Sequence, residues 1–177
     1  MTADKTVLFS LSMILLLPMS VSANTFTATA SRAAIGEDVL GNQILYLTDS
    51  VEVTDGEITV TSDVATVWQL SERAVFIGNV QFESDTISGT SDYLEYDKAS
   101  GVITMTGNVV LFDGESEVRA GEVIYYKDSK KATAKDSVVM TGEWQGTVSG
   151  EYAMYDYGRN SIFITVYLAA LTSIDWR

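Results

Sequence analysis

Apolar and polar residues alternate along most of the chain after residue 40, with a period of two. One stretch of nine residues has small or apolar side chains at every second position, namely Ala74, Phe76, Gly78, Val80 and Phe82. The positions between them are more polar. Because successive side chains of a strand point to opposite faces, this pattern predicts a strand with one buried face.

The alternation belongs to a longer repeat of 29 residues. Four consecutive blocks each begin with Asp-Ser or Gly-Asn followed by valine, and they cover residues 49–77, 78–106, 107–135 and 136–165. The fourth block is one residue longer than the others. A repeat that keeps its register over four blocks predicts a fold built by stacking one supersecondary unit.

Each block also predicts a second strand, introduced by a turn signal such as Asp55-Gly56. The apolar parity changes phase within this second strand, and a β-bulge there would restore the facing of the side chains. The predicted bulge positions are Asp63, Asp92, Gly121 and Gly150. In the fourth block the inward parity then continues through Tyr152 and Met154. The pattern therefore predicts an all-β protein, with two strands in each block.

The first residues have the layout of a secretory signal peptide. An apolar run at 7–17 ends at Pro18, and small residues lead to Ala23. We predict cleavage after Ala23. An uncleaved membrane anchor is the alternative, although the run is shorter than the roughly 20 residues that span a bilayer.

These features divide the chain into three parts. We predict a signal peptide at 1–23, a loose N-terminal lead at 24–40 and one β domain at 41–177. The last segment keeps the inward parity from Ile162 to Ala170 and predicts an incomplete fifth block. An incomplete block leaves an open strand edge that can pair with another chain.

Composition removes several classes of function. The 177-residue chain has no histidine and no cysteine, so histidine catalysis, cysteine nucleophiles, disulfides and Cys/His metal sites are excluded. We predict no cofactor and no metal. The net charge of −13 disfavours nucleic acid as a partner, since phosphate binding needs a basic patch. The one basic cluster reads as a solvated loop and comprises Lys127, Lys130, Lys131 and Lys135.

Acidic residues leave an enzymatic alternative open. Asp85, Asp92 and Asp97 could supply the carboxylate pair of a polysaccharide-acting enzyme. They recur at turn positions of the repeat, as structural residues do, so we predict no catalytic residue and no enzyme. A purely structural β-solenoid is a further alternative.

The repeated pattern resembles the OstA-like (LptA) family of lipopolysaccharide transport proteins, over about residues 40–165. The motifs that carry the resemblance are Thr106-Gly107-Asn108-Val109 with Gly114, Val118, Ala120 and Tyr125, then Gly78-Asn79-Val80 with Ile87, Ser91-Asp92 and Tyr96, and finally Gly56, Ile58, Ser62-Asp63 and Ala65.

The resemblance implies a fold and a function. The fold would be an antiparallel β-jellyroll, a V-shaped trough of two facing sheets with an apolar interior. The function would be to hold the lipid A acyl chains of lipopolysaccharide in the periplasm. Edge strands would pair with LptC-like and LptD-like proteins, or head to tail with another copy, in a bridge from the inner to the outer membrane. A membrane-anchored LptC-like component is the alternative within the same system.

The inward parity names candidate residues for the lipid trough. They are Phe76, Val80, Phe82, Ile87, Leu94, Ile103, Met105, Val109, Leu111, Val118, Val123 and Met140. Each of them can equally pack against its opposite number, since core packing and ligand contact draw on the same burial. Gly107 falls on the same inward face, so we expect Gly107→Leu to obstruct the trough.

Overall fold

The computed structural model describes residues 26–142 and 147–156, and the backbone of residues 161–165. The predicted signal peptide and its cleavage site lie outside the described residues, as does the segment after residue 165. Within the described ranges every regular element is a strand, as the sequence predicts.

Eleven strands follow one another along the chain. They are β1 (Thr27–Thr29), β2 (Arg32–Glu37), β3 (Gln43–Thr54), β4 (Ile58–Trp68), β5 (Arg73–Ser84), β6 (Ser88–Asp97), β7 (Val102–Phe112), β8 (Glu117–Tyr126), β9 (Lys131–Thr141), β10 (Thr147–Asp156) and β11 (Ser161–Thr165). From β3 onward each strand pairs antiparallel with the next, and the sheet does not close on itself.

The N-terminal residues differ from the predicted loose lead. Strands β1 and β2 both pair with β3, β1 along its C-terminal part and β2 along its N-terminal part. Their backbone groups satisfy the otherwise free edge of β3, which explains why a segment of mostly small and polar residues still forms strands.

A break interrupts every long strand near its middle. On the odd-numbered strands two consecutive residues with positive φ, between 47° and 80°, stand opposite a single residue of each neighbouring strand. These left-handed pairs are Asp49-Ser50, Gly78-Asn79, Gly107-Asn108 and Asp136-Ser137. They coincide with the first two residues of the four sequence blocks.

The predicted bulges are partly correct. Asp63, Asp92 and Gly121 do lie at the register shifts, but the extra residue belongs to the neighbouring odd-numbered strand. In the fourth block the single residue is Glu151, since the shift falls between Gly150 and Tyr152.

The shifted break changes which side chains of β10 face inward. Ala153 and Tyr155 are buried, whereas Met154 is 36% exposed. The predicted inward parity of Tyr152 and Met154 is therefore wrong by one residue.

The breaks align across the sheet and divide it into two half-sheets. Half-sheet I consists of residues 43–48, 64–68, 73–77, 93–97, 102–106, 122–126, 131–135 and 152–156. Half-sheet II consists of residues 51–54, 58–62, 80–84, 88–91, 109–112, 117–120, 138–141 and 147–150.

The two half-sheets face each other. The ring of Phe82 on β5 in half-sheet II meets the ring of Tyr125 on β8 in half-sheet I edge-on, with centroids 6.5 Å apart, although β6 and β7 lie between these strands in the sheet. Tyr96 of half-sheet I also reaches the turn that ends β3 in half-sheet II. The fold is thus the antiparallel β-jellyroll of two facing layers that the sequence led us to expect.

Candidate functional site

The interior between the half-sheets is one continuous apolar cluster. All twelve residues predicted to line a trough belong to it, and each is at most 9% exposed. The structure therefore brings them together and turns them inward, as predicted. Whether they touch a ligand stays a prediction.

Two rows of side chains, one on each half-sheet, form the walls of this interior. On half-sheet I, Phe76, Leu94, Met105 and Val123 are paired in register across four strands. On half-sheet II, the corresponding row is Phe82, Gly89, Leu111, Val118 and Met140. Because cross-strand neighbours lie only about 5 Å apart, each row is a continuous apolar stripe.

The same parity finds further buried members of the cluster, among them Val53, Val60, Val67, Tyr96, Tyr125 and Val138. Sequence reasoning missed a different class of residue, the buried serines at the breaks. The hydroxyls of Ser62 and Ser91 donate to the carbonyls of Val64 and Tyr93, at 2.9 and 3.0 Å. The sequence signal for these serines is the recurring Ser-Asp dipeptide, in which the serine directly precedes the aspartate at the break.

The Gly-Asn pairs belong to the wall and not to the interior. Asn108 donates its side-chain amide to the Asp92 carboxylate at 2.8 Å, and Asn79 does the same with Asp63. A Cβ atom on Gly107 would lie 2.5 Å from Asp92 Oδ2. The expectation that Gly107→Leu obstructs the trough is therefore wrong, because the missing side chain faces Asp92.

Each half-sheet ends, on the side away from the breaks, in a set of turns. The opening between these two sets of turns is called the mouth. Lip I is formed by the turns 69–72, 98–101 and 127–130 of half-sheet I, and lip II by the turns 55–57, 85–87 and 113–116 of half-sheet II. Backbone hydrogen bonds join adjacent turns of lip I, from Lys98 to Glu72 and from Lys127 to Gly101, each at 2.9 Å. Lip I is therefore a continuous border.

Tyrosine hydroxyls at the mouth end of half-sheet I fasten it to lip II. The hydroxyl of Tyr96 donates to Asp55 Oδ2 at 2.6 Å, and the hydroxyl of Tyr155 donates to Asp113 Oδ2 at 3.0 Å. Asp113 stands two repeats after Asp55, so the same contact recurs along the mouth. We call these two contacts the clasps.

The first clasp is embedded in a small ionic network. The side chain of Asp55 is 1% exposed, and Lys127 Nζ lies 3.8 Å from its Oδ2 and 2.5 Å from Glu57 Oε2. Burial by itself would raise the pKa of Asp55. Hydrogen bonds from Tyr96 and from the N–H groups of Glu57 and Ile58, with the Lys127 charge, instead bring that pKa below its ordinary 3.8.

The tyrosines of the clasps are perturbed in the opposite direction. Burial and the hydrogen bond to Asp55 raise the pKa of Tyr96 far above its ordinary range. Burial and the hydrogen bond to Asp113 raise the pKa of Tyr155 to about 12. Both hydroxyls are therefore protonated donors at neutral pH.

An N-terminal phenylalanine seals the mouth beside the first clasp. The Phe26 ring meets Tyr96 edge-on at 5.6 Å, and the ammonium of Lys98 lies 5.7 Å from its centroid. The side-chain amide of Gln69 donates to the Phe26 carbonyl at 3.3 Å. Phe26 is 4% exposed, so it is part of the core at this end.

Charge is divided unequally between the lips. The turns of lip II contain five acids and no base, namely Asp55, Glu57, Asp85, Asp113 and Glu115. The turns of lip I contain three lysines and two acids, namely Lys98, Lys127, Lys130, Glu72 and Asp128. The sequence suggested a solvated loop for the lysine cluster, but Lys127 is ion-paired at the mouth.

Two of the three residues weighed for an enzyme have structural contacts. Asp92 accepts from Asn108 at a break, and Asp97 accepts the N–H of Ser100 in a turn. Over the ranges that the structure describes, there is no group of three or more acidic side chains able to hold a metal ion. In those ranges no helix is long and apolar enough to cross a membrane.

Comparison with known proteins identifies the family. A family model described as "LptA/(LptD N-terminal domain) LPS transport protein" matches residues 40–131, more than half of the chain. The chain belongs to this family. The LptA/LptD N-terminal domain family is one of transport components, and the OstA-like resemblance of the repeats is thereby confirmed.

The fold is also found in solved structures of LptA-like proteins. A crystal structure of LptH from Pseudomonas aeruginosa aligns with a TM-score of 0.59 and 12% identity, over 67% of this chain and 94% of that one. LptH is described as the LptA-homologous periplasmic component of the lipopolysaccharide transport device. At this identity the likeness shows the fold. A comparison with curated protein sequences gives no match.

Proposed function

We propose that this protein is a non-enzymatic, periplasmic lipopolysaccharide-binding transport protein that holds lipid A acyl chains between its two half-sheets. The observation that carries the proposal is the continuous apolar interior, to which strands of both half-sheets contribute. Membership of a lipopolysaccharide transport family supports the choice of ligand.

Burial of acyl chains supplies the affinity in this proposal. Each buried CH₂ group is worth about 0.8 kcal/mol, and no titrating group is needed. Side chains such as Phe76 and Leu94 are fully buried against one another in the structure. Acyl chains therefore replace side-chain contacts as they enter, and the half-sheets must separate at the mouth to admit them.

Access through the mouth follows from the connectivity of the sheet. On the side of the breaks the backbone of every long strand runs continuously from one half-sheet to the other, so that side cannot open. Among the described residues, the contacts between the half-sheets at the mouth are made by side chains, chiefly those of the clasps and of Phe26.

The location that fits this function is the periplasm, with export by a signal peptide cleaved after Ala23. The periplasmic description of LptH supports this placement. N-terminal sequencing of the exported protein separates it from the membrane-anchored LptC-like alternative, since the cleaved chain begins at Asn24.

The partners we propose are LptC-like and LptD-like proteins, or another copy of this chain joined head to tail. Among the described residues β11 pairs only with β10, and at the opposite end β1 and β2 pair only with β3. Both ends of the sheet thus present strand edges for pairing, which would extend the apolar interior into a bridge from the inner to the outer membrane.

Site-specific photo-crosslinking tests the proposal. A photoreactive residue at position 105 or 111 is expected to capture lipopolysaccharide, because both side chains point into the interior. The matched control is position 81, where Gln81 points outward from β5. Equal capture at position 81, or no capture at 105 and 111, would contradict binding between the half-sheets.

A further inference from the structure

Lys127 occupies a distinctive place at the mouth. Its side chain, 28% exposed, lies next to the first clasp and is paired with two carboxylates of lip II. Burial would lower its pKa, but Glu57 and Asp55 raise it, so the ammonium is charged at neutral pH. Its ion pairs cross from lip I to lip II, whereas the pairs Lys131–Asp156 and Lys135–Glu122 lie within half-sheet I.

The two carboxylates around Lys127 are held very differently. Asp55 is buried and already accepts hydrogen bonds from Tyr96 and from the N–H groups of Glu57 and Ile58. Glu57 is 69% exposed, and its recorded side-chain partner is Lys127. Exposed ion pairs contribute little to stability. The pair with Glu57 is therefore the one that another anion can displace without disturbing the fold.

A phosphate group is well suited to displace Glu57. It carries more charge than a carboxylate and offers several acceptor oxygens, so its charge-assisted hydrogen bond to an ammonium is stronger. Lys130 on the same turn and Lys98 on the neighbouring turn of lip I add positive charge within that border. The turns of lip II contain no basic side chain that could bind a phosphate.

We propose that Lys127 is a headgroup-recognition residue, which exchanges Glu57 for a phosphate of the bound amphiphile and so links phosphate capture to separation of the lips. The proposal rests on the proposed function, because the acyl chains of the same molecule occupy the interior. It also explains how a chain of net charge −13 accommodates an anionic lipid.

Paired lipids and paired variants test this assignment. The probes are lipid A with its phosphates and the same lipid after their removal, and affinity is read from displacement of a fluorescent acyl probe. Lys127→Gln is expected to weaken binding of phosphorylated lipid A about tenfold or more, and to leave the dephosphorylated lipid unchanged. Glu57→Gln is expected to strengthen binding of the phosphorylated lipid about two- to fivefold, because it releases Lys127.

Two control variants separate Lys127 from a general charge effect. Lys135→Gln removes the same charge from a lysine that pairs with Glu122 beside the breaks. Glu115→Gln removes an acid from the equivalent turn of lip II, two repeats after Glu57. Both are expected to bind the two lipids as the wild type does.

Several outcomes would overturn the assignment. If Lys127→Gln and Lys135→Gln lose affinity equally, or Glu57→Gln and Glu115→Gln gain affinity equally, the effect is one of net charge and not of Lys127. If Lys127→Gln still prefers the phosphorylated lipid as the wild type does, the role of Lys127 is contradicted, although the proposed lipid carriage is not. Binding of neither lipid by the wild type would remove the proposed function as well.

Discussion

Asp55 shows how one carboxylate joins two half-sheets. One oxygen closes its own turn by accepting the N–H groups of Glu57 and Ile58, and the other accepts the Tyr96 hydroxyl across the mouth. Asp113 repeats the arrangement, with its own turn on one oxygen and Tyr155 on the other. Because Asp55 is buried and ionised, its hydrogen bonds are charge-assisted and stronger than neutral ones.

The perturbed pKa of Asp55 predicts a pH-dependent contribution to stability. A carboxyl whose pKa is lowered in the folded state stabilises the fold above its ordinary 3.8, and that contribution is lost as the pH falls through the lowered value. Asp55→Asn is therefore expected to cost about 1–3 kcal/mol at neutral pH and progressively less in acid.

Denaturant unfolding of the two proteins between neutral and strongly acidic pH measures this difference. Asp85→Asn is the control, since Asp85 lies on the same lip with an exposed side chain. A free-energy difference for Asp55→Asn that stays constant with pH would contradict the role of the ionised carboxylate.

At the scale of the elements, the left-handed pair is what turns a meander of hairpins into two facing layers. Each pair places two residues of an odd-numbered strand opposite one residue of its neighbours, and such bulges bend a strand and increase its twist. The pairs recur once per block, so the bends fall on one line across the sheet. Glycine or a short polar residue fills each pair because few other side chains tolerate positive φ.

Gly107→Ala tests the steric part of this argument. The new Cβ would meet the Asp92 carboxylate at 2.5 Å and would also occupy a φ of 77°, so we expect a loss of about 2 kcal/mol or more in unfolding free energy. Gly114→Ala is the matched control, because it has a φ of 95° with open space around it and isolates the conformational cost.

A second substitution separates the two costs further. Asp92→Gly in the Gly107→Ala background removes the clashing carboxylate and is expected to restore part of the loss. Glycine already stands at the equivalent position of β8, Gly121. If Gly107→Ala costs no more than Gly114→Ala, the contact with Asp92 is unimportant.

At the scale of the whole molecule, the half-sheets are joined covalently along the breaks, whereas the described contacts along the mouth are made by side chains. Phe26, the clasps and the Lys127 ion pairs all lie along this second border. The apolar side chains of the interior behind it are buried. In the proposed function, entry of an acyl chain therefore requires the clasps, the Lys127 ion pairs and the Phe26 contacts to separate.

A reversible lock across the mouth tests this dependence. Glu57→Cys and Lys127→Cys, joined by a cleavable bifunctional thiol reagent, are expected to abolish lipid uptake until the reagent is cleaved. The chain has no native cysteine, so labelling is confined to the new sites. Uptake by the same double variant is compared before and after the reagent is cleaved. The loss of the Glu57 and Lys127 side chains is the same in both measurements and does not affect the comparison.

The control for the lock joins two neighbours within one half-sheet. Thr90 and Val110 are paired in register on the outer face of half-sheet II, and their cysteine variants should accept the reagent without loss of uptake. Uptake by the locked Glu57–Lys127 variant at the wild-type level would show that lipid enters elsewhere.

Much of this architecture could be predicted from the periodicity, and the remainder could not for identifiable reasons. Phe76, Met105 and Leu111 face inward because a period of two is a strong signal of one buried face. The left-handed pair at Gly107-Asn108 could not be predicted from the periodicity. Two extra residues in a strand leave the alternation of inward and outward side chains unchanged on either side of them. The clasps were missed because Tyr96 and Asp55 are 41 residues apart and meet only when the sheet folds over.

The register of the 29-residue blocks has a consequence for how such a protein can change in size. Every block begins with a left-handed pair on an odd-numbered strand and supplies two antiparallel strands. Duplication of one block would therefore insert two strands in phase, lengthen the interior by roughly 10 Å and leave both terminal edges unaltered. The number of blocks therefore sets the length of the apolar interior, and it does so independently of the strand edges at the two ends of the sheet.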